Sequence, residues 1–158
     1  VSRLLLALLV AASCSPASGP ASSAEPGGAA ALPFETLVQR SIPGQSGPVV
    51  REAIHDATTW RAAWTGLREG SDLPADPPEV DFTHQMVIVA AMETQSCVSR
   101  VTLRSVTRTP GTLAVDLLEE PPAPNCVCIT STRPIHVIRL ERVDLPVRFQ
   151  VEQGVTHC

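Results

Sequence analysis

"QMVIVAAM" (Gln85 to Met92) and "CVSRVTLRSVTR" (Cys97 to Arg108) decide how this chain folds. The first is a continuous apolar run, which suits a central strand buried on both faces. The second alternates, Val98 then Ser99, Val101 then Thr102, Leu103 then Arg104. A period of two puts one face in a core and the other in water. "TPG" (Thr109 to Gly111) reads as a tight turn, and "TLAVDLLEE" (Thr112 to Glu120) returns as the hairpin partner. Further on, "CVCITS" (Cys126 to Ser131) and "IHVIRLER" (Ile135 to Arg142) read as two strands separated by Arg133-Pro134. "LPVRFQVE" (Leu145 to Glu152) closes the series.

On the N-terminal side, "FETLVQR" (Phe34 to Arg40) and "VVREAI" (Val49 to Ile54) read as short strands around the Pro- and Gly-bearing turn "IPGQSGP". One segment has helical period. In "HDATTWRAAWTGLREG", Trp60, Ala63, Trp64 and Leu67 recur at i, i+3, i+4 and i+7 and share a face. Asp56 or Thr58 can cap its start and Gly70 can end it. The indole pair at positions 60 and 64 reads as the contact between helix and sheet, each buried Trp contributing a few kcal/mol. "SDLPADPPE" is loop. The expectation is an α+β domain: a mainly antiparallel, curved β-sheet with one amphipathic helix packed on one face.

The ends set the compartment. Leu4 to Ala12 is an apolar run of nine residues, too short for a span that needs about 20. It follows Arg3 and exits through Ala11, Ala12 and Ser13, as a secretory signal does. Ala12-Ser13-Cys14 looks like a lipobox, in which cleavage leaves Cys14 N-terminal and diacylated. One acyl chain anchors marginally and two or more anchor stably. Residues 1–13 therefore read as a lipoprotein signal peptide, 14–32 as a Ser/Pro/Gly/Ala-rich tether, and 33–158 as one domain. Ser15 after Cys14, in place of Asp, favours the outer membrane or the periplasmic face of the cell envelope.

All 12 basic residues are Arg, against 16 acidic ones, for a net charge of −4. No basic stripe forms, so nucleic acid is not an expected partner. Tyr is absent and Phe and Trp are few, which leaves little for stacking on bases or sugars.

Trp60 and Trp64 on a helix, "EVDF" (Glu79 to Phe82), the apolar strand and "TRPIHVIRLERVDLPVRF" together resemble the C-terminal domain of the protease complex subunit PrcB family. The resemblance covers about residues 50 to 150, with Trp60, Trp64, Asp81, Phe82 and Pro134 as its structural positions. It implies a small exported lipoprotein that is an accessory to a surface protease complex rather than an enzyme. Where many relatives carry a Gly-rich turn ending in Gly-Tyr, this chain reads "METQSCV", so nothing tied to that turn carries over.

Cys97, Cys126, Cys128 and Cys158 read as disulfide cysteines in an exported chain. Cys126 and Cys128 lie on one side of an extended segment with poor geometry for bridging each other. Cys97 is therefore expected to pair with one of them and Cys158 with the other. A thiolate metal site using these cysteines and His157 is the alternative, but Cys-x-Cys is not the Cys-x2-Cys knuckle of structural zinc. A redox pair would sit in a βαβ pattern that is missing here. His55, His84, His136 and His157 show no metal spacing. Asp81 is expected to take backbone hydrogen bonds in the turn before the apolar strand, the alternative being a carboxylate–imidazole pair with His84, and His136 is expected to lie on a polar face. Gly-x-Ser-x-Gly, Ser-x2-Lys and a phosphate-cradling loop are all absent from the sequence.

These readings assign no catalytic residue, metal or cofactor. They point first to a lipid-anchored accessory or binding module for another envelope protein, with a protease complex as the candidate partner. A protease-inhibitor-like or ligand-binding module is the second reading, and a cysteine-based metal protein the third.

Overall fold

The computed structural model describes residues 28–156. In chain order these form β1 (Ala30–Ala31), β2 (Phe34–Pro43), β3 (Val50–Ile54), α1 (Ala57–Arg68), β4 (Gln85–Ala91), β5 (Gln95–Ser96), β6 (Arg100–Thr109), β7 (Thr112–Glu120), β8 (Ser131–Glu141) and β9 (Val147–Gln153). Strands β2-β8-β4-β3 form one sheet, with β5 also paired to β8, and β1-β6-β7-β9 form a second. The domain is α+β, with the strands divided between two sheets and the single helix outside them.

The apolar run explains the layering. Met86, Ile88 and Ala90 face a core shared with β6 and β7, through Val101, Leu103, Leu113 and Val115. Val87, Val89 and Ala91 face the opposite way, against Trp60, Trp64 and Leu67 of the helix. Strand β8 divides likewise, Ile138 and Leu140 to one core, Ile135 and Val137 to the other. The five-stranded sheet is thus the middle layer, covered on both faces, and burial on both faces is what an unalternating strand requires.

The helix begins and ends on local chemistry. The Asp56 carboxylate accepts from the Thr58 and Thr59 amides at 2.9 and 2.8 Å, which satisfies two of the donors that a helix start leaves open. Gly70 follows its last turn at φ +71°, a left-handed conformation that costs glycine little. The indole rings of Trp60 and Trp64 meet edge to face at 5.4 Å. Each also donates to the following loop, Trp60 to the Pro78 carbonyl and Trp64 to the Pro74 carbonyl, both at 3.0 Å. The two rings therefore fill the core and hold down residues 69–84, which lack regular hydrogen bonding.

Several expectations are corrected. "CVCITS" is loop rather than strand, and β8 begins only at Ser131. Arg133-Pro134 does not separate two strands but lies inside β8, where Pro134 pairs with Ser41. The break lies in the neighbouring edge: β4 ends opposite Ile135 and β5 resumes opposite Thr132. Pro134, whose carbonyl accepts from Met92, directs its missing N–H toward that gap, so no ladder bond is lost. Strand β9 joins β7 in parallel, the one parallel pairing among the described strands of a mainly antiparallel arrangement. Ala30 and Ala31, read as the end of the tether, add a short strand opposite Arg108 and Thr107. His136 lies in the core, 2% exposed.

The topology gives the domain two ends. Residues 28–32 join it beside the Arg108 end of β6. The Cys97–Cys128 disulfide closes the other, where β6 and β8 begin. Nine residue steps of β2, from Phe34 to Pro43, separate them, about 30 Å at the usual strand rise.

Candidate functional site

The disulfide end is assembled from three chain segments. After β7, the Pro121-Pro122-Ala123-Pro124 stretch is held by Thr156: the Thr156 amide donates to the Pro121 carbonyl at 2.9 Å, and the Ala123 amide donates to the Thr156 carbonyl at 3.1 Å. The Thr156 hydroxyl donates to the Val98 carbonyl at 2.8 Å. Cys128 is then bonded to Cys97, one of the two partners that spacing left open. Cys126 is also disulfide-bonded. Cys158, His157 and Cys14 lie outside the described residues. Cys97 has φ 79°, left-handed backbone that a side chain rarely adopts. It is fixed there by its amide donating to the Thr130 carbonyl and its own carbonyl accepting from the Thr132 hydroxyl.

This framework displays aliphatic side chains to water. Val127 is 95% exposed, Ile129 104% and Val98 68%. Scattered surface aliphatics need no explanation, but here three flank one disulfide, Val98 beside Cys97 and Val127 and Ile129 beside Cys128, and apolar exposure gathered on a fixed corner marks contact sites. Burying each of them in a partner is worth on the order of 1.5–3 kcal/mol. Residues 121–130, which carry the loop, contain no charged side chain.

Beside the patch runs an open groove of about 600 Å³, lined by Gln39, Arg40, Ser41, Val98, Arg100 and Thr102. It marks the seam where β2 of one sheet faces β6 of the other without a hydrogen-bonded ladder. Side chains stitch the seam instead. Gln39 donates to the Val101 carbonyl and the Thr102 hydroxyl, and Ser41 to the Ser99 carbonyl. From inside, His136 Nδ1 accepts the Leu103 amide at 2.8 Å and Nε2 lies 3.0 Å from the Thr36 hydroxyl. The amide bond assigns the proton to Nε2, leaving the ring neutral. Burial pushes the imidazole down to about 4, because a charged ring there loses water and finds no carboxylate.

At the far end, His84 Nδ1 lies 2.8 Å from Asp81 Oδ2, and the Thr83 amide donates to Asp81 Oδ1 at 3.0 Å. The His84 side chain, then the turn amide, hold the Asp81 carboxyl below its ordinary range. The two alternative readings of Asp81 therefore occur together, on an exposed turn. Arg142 binds the carbonyls of His55 and Phe82 and the Asp144 carboxylate, and so ties this turn to the end of β8. The structural positions of the resemblance do not converge: Trp60, Trp64, Asp81 and Phe82 lie around the helix layer, while Pro134 lies near the disulfide end.

Sequence reasoning missed Val127, Ile129, His136 and Arg133. Arg133 is 4% exposed and donates to the Pro48 carbonyl, with its guanidinium against Gly47. Among the described residues no group of three or more His, Cys, Asp or Glu side chains could hold a metal, and no helix is long and apolar enough to cross a membrane. The site defined here is a disulfide-fixed apolar corner on an α+β domain of one helix and two sheets. Comparison with protein-family models, with curated proteins and with solved structures returned no match.

Proposed function

We propose that this chain is a lipid-anchored protein of the cell envelope, a non-catalytic accessory module that binds another exported protein through the disulfide end. One observation carries the reading: Val98, Val127 and Ile129 stand exposed on a corner fixed by cystine. Structural disulfides persist in oxidising compartments, and a fixed apolar patch is matched to a partner's surface rather than to water. The leader, the Cys14 lipobox and the tether supply the anchor in this reading. The resemblance to the PrcB family adds a protease complex as the partner class, and Ser15 after Cys14 adds the outer membrane or periplasmic face as the place.

Two measurements test it. Metabolic labelling with a fatty-acid analogue should mark the wild type and fail on Cys14→Ser, which should leave the membrane fraction. Equal label on both proteins would remove the anchor. In affinity capture from solubilised envelopes, a specific exported protein should be retained by the wild type and released by Val127→Asp. Capture that ignores this substitution would remove the assigned surface.

A further inference from the structure

We propose that Cys126–Thr130 is a peptidase-blocking loop, which enters the substrate cleft of an exported endopeptidase that accepts aliphatic side chains. The inference rests on the accessory reading above and names the chemistry of its partner.

The segment has the form that such a cleft takes. Val127 and Ile129 stand in water on either side of Cys128, which is tied to Cys97, and Cys126 is held by a disulfide as well, so two aliphatic side chains project from covalently fixed backbone. Among the described residues, the backbone groups of Val127, Cys128 and Ile129 make no hydrogen bond. Three successive residues therefore offer free amides and carbonyls to a partner, on a loop that bends at Ile129. Peptidase clefts bind substrates by pairing such free backbone with their own strands and seating side chains in pockets. The β-branched aliphatics fit apolar pockets of moderate size.

Rigidity separates an inhibitor from a substrate. A flexible peptide loses conformational freedom on binding, whereas this segment is already fixed by the Cys97–Cys128 bond, by the Cys126 disulfide and by Pro121, Pro122 and Pro124. If water is added across the Val127–Cys128 peptide bond, the new ends remain attached through Cys126 and Cys128, so neither product strand leaves the cleft freely. A lipid surface fits less well. No Arg lies within residues 121–130 to meet anionic headgroups, and the chain leading to Cys14 joins the opposite end of the domain.

The test uses the full-length protein with its disulfides intact against elastase and subtilisin, each assayed on a chromogenic peptide with a small aliphatic residue at the cleaved position. The wild type should slow at least one enzyme at stoichiometric excess. Val127→Asp or Ile129→Asp should weaken the inhibition by about tenfold or more, as removal of a central anchor does. Both positions are solvent-exposed, so unchanged circular dichroism and thermal midpoint will show that the variants fold. Val155→Asp, at an exposed aliphatic outside the segment, should inhibit like the wild type.

The inference is overturned if neither enzyme is slowed, if the segment is cut at the rate of an ordinary substrate, or if the loop variants inhibit as well as the wild type. Binding to phosphatidylglycerol vesicles or self-association that is abolished by Val127→Asp would also overturn it, by giving the corner a different occupant. Should envelope capture depend on Val127 while no peptidase is blocked, the peptidase assignment fails and the accessory reading stands.

Discussion

His136 shows how one side chain can set the acid limit of the fold. An ordinary imidazole titrates near 6.5, and burial lowers this one to about 4. Between those values the unfolded chain binds the proton and the folded chain does not, so stability rises with pH across the window. The contribution is fully present above pH 6.5 and lost progressively as pH falls toward 4, about 3 kcal/mol in all. Asp56, Asp72 and Asp81 are lowered carboxylates, whose contributions are lost only below the ordinary carboxylate pKa, beneath the histidine window. Urea titrations between pH 7 and pH 4.5 should therefore lose stability in the wild type, and His136→Gln should flatten that slope. A second expectation concerns Gly47. A methyl group there would stand 2.5 Å from the Arg133 Cζ, and the buried guanidinium could yield only by leaving the Pro48 carbonyl. Gly47→Ala should destabilise the domain by about 1–3 kcal/mol, read from the urea midpoint at constant slope.

Among the elements, those with their own periodicity were legible and those defined by a distant partner were not. The helix could be read because its apolar positions, its Asp56 cap and Gly70 are all local. Strand β4 could be read because nothing else explains seven residues without a charge. "CVCITS" misled because Val127 and Ile129 alternate with cysteines just as a strand alternates with its core face. Here disulfides take the place of the core and no neighbouring strand pairs with it. His136 misled because β8 is covered by a second sheet, whose β6 comes from elsewhere in the chain. The disulfide residues of the candidate site were visible; its exposed apolar surface was not. At this scale the indoles give a prediction. Trp64→Phe keeps a buried ring but leaves the Pro74 carbonyl without its donor. It should cost about 1–3 kcal/mol, with increased proteolysis between residues 69 and 84.

For the whole molecule, the Cys97–Cys128 bond closes a separation of 31 residues, and a loop of that size contributes about 3–4 kcal/mol by constraining the unfolded chain. Replacing Cys97 and Cys128 together by Ser should lower the thermal midpoint by about 10–15 °C, measured by calorimetry without reductant at neutral pH. The seam and the disulfide end also fix how the two ends of the domain are joined. Strand β2 starts at the end where residues 28–32 arrive, and β8 starts just after the exposed corner. The two lie antiparallel over nine paired positions. In the proposed reading, a partner pulling on the corner against an anchor on the tether would load that ladder in shear, straining its hydrogen bonds together rather than unzipping them singly. The domain would behave as a stiff mechanical link between its two ends.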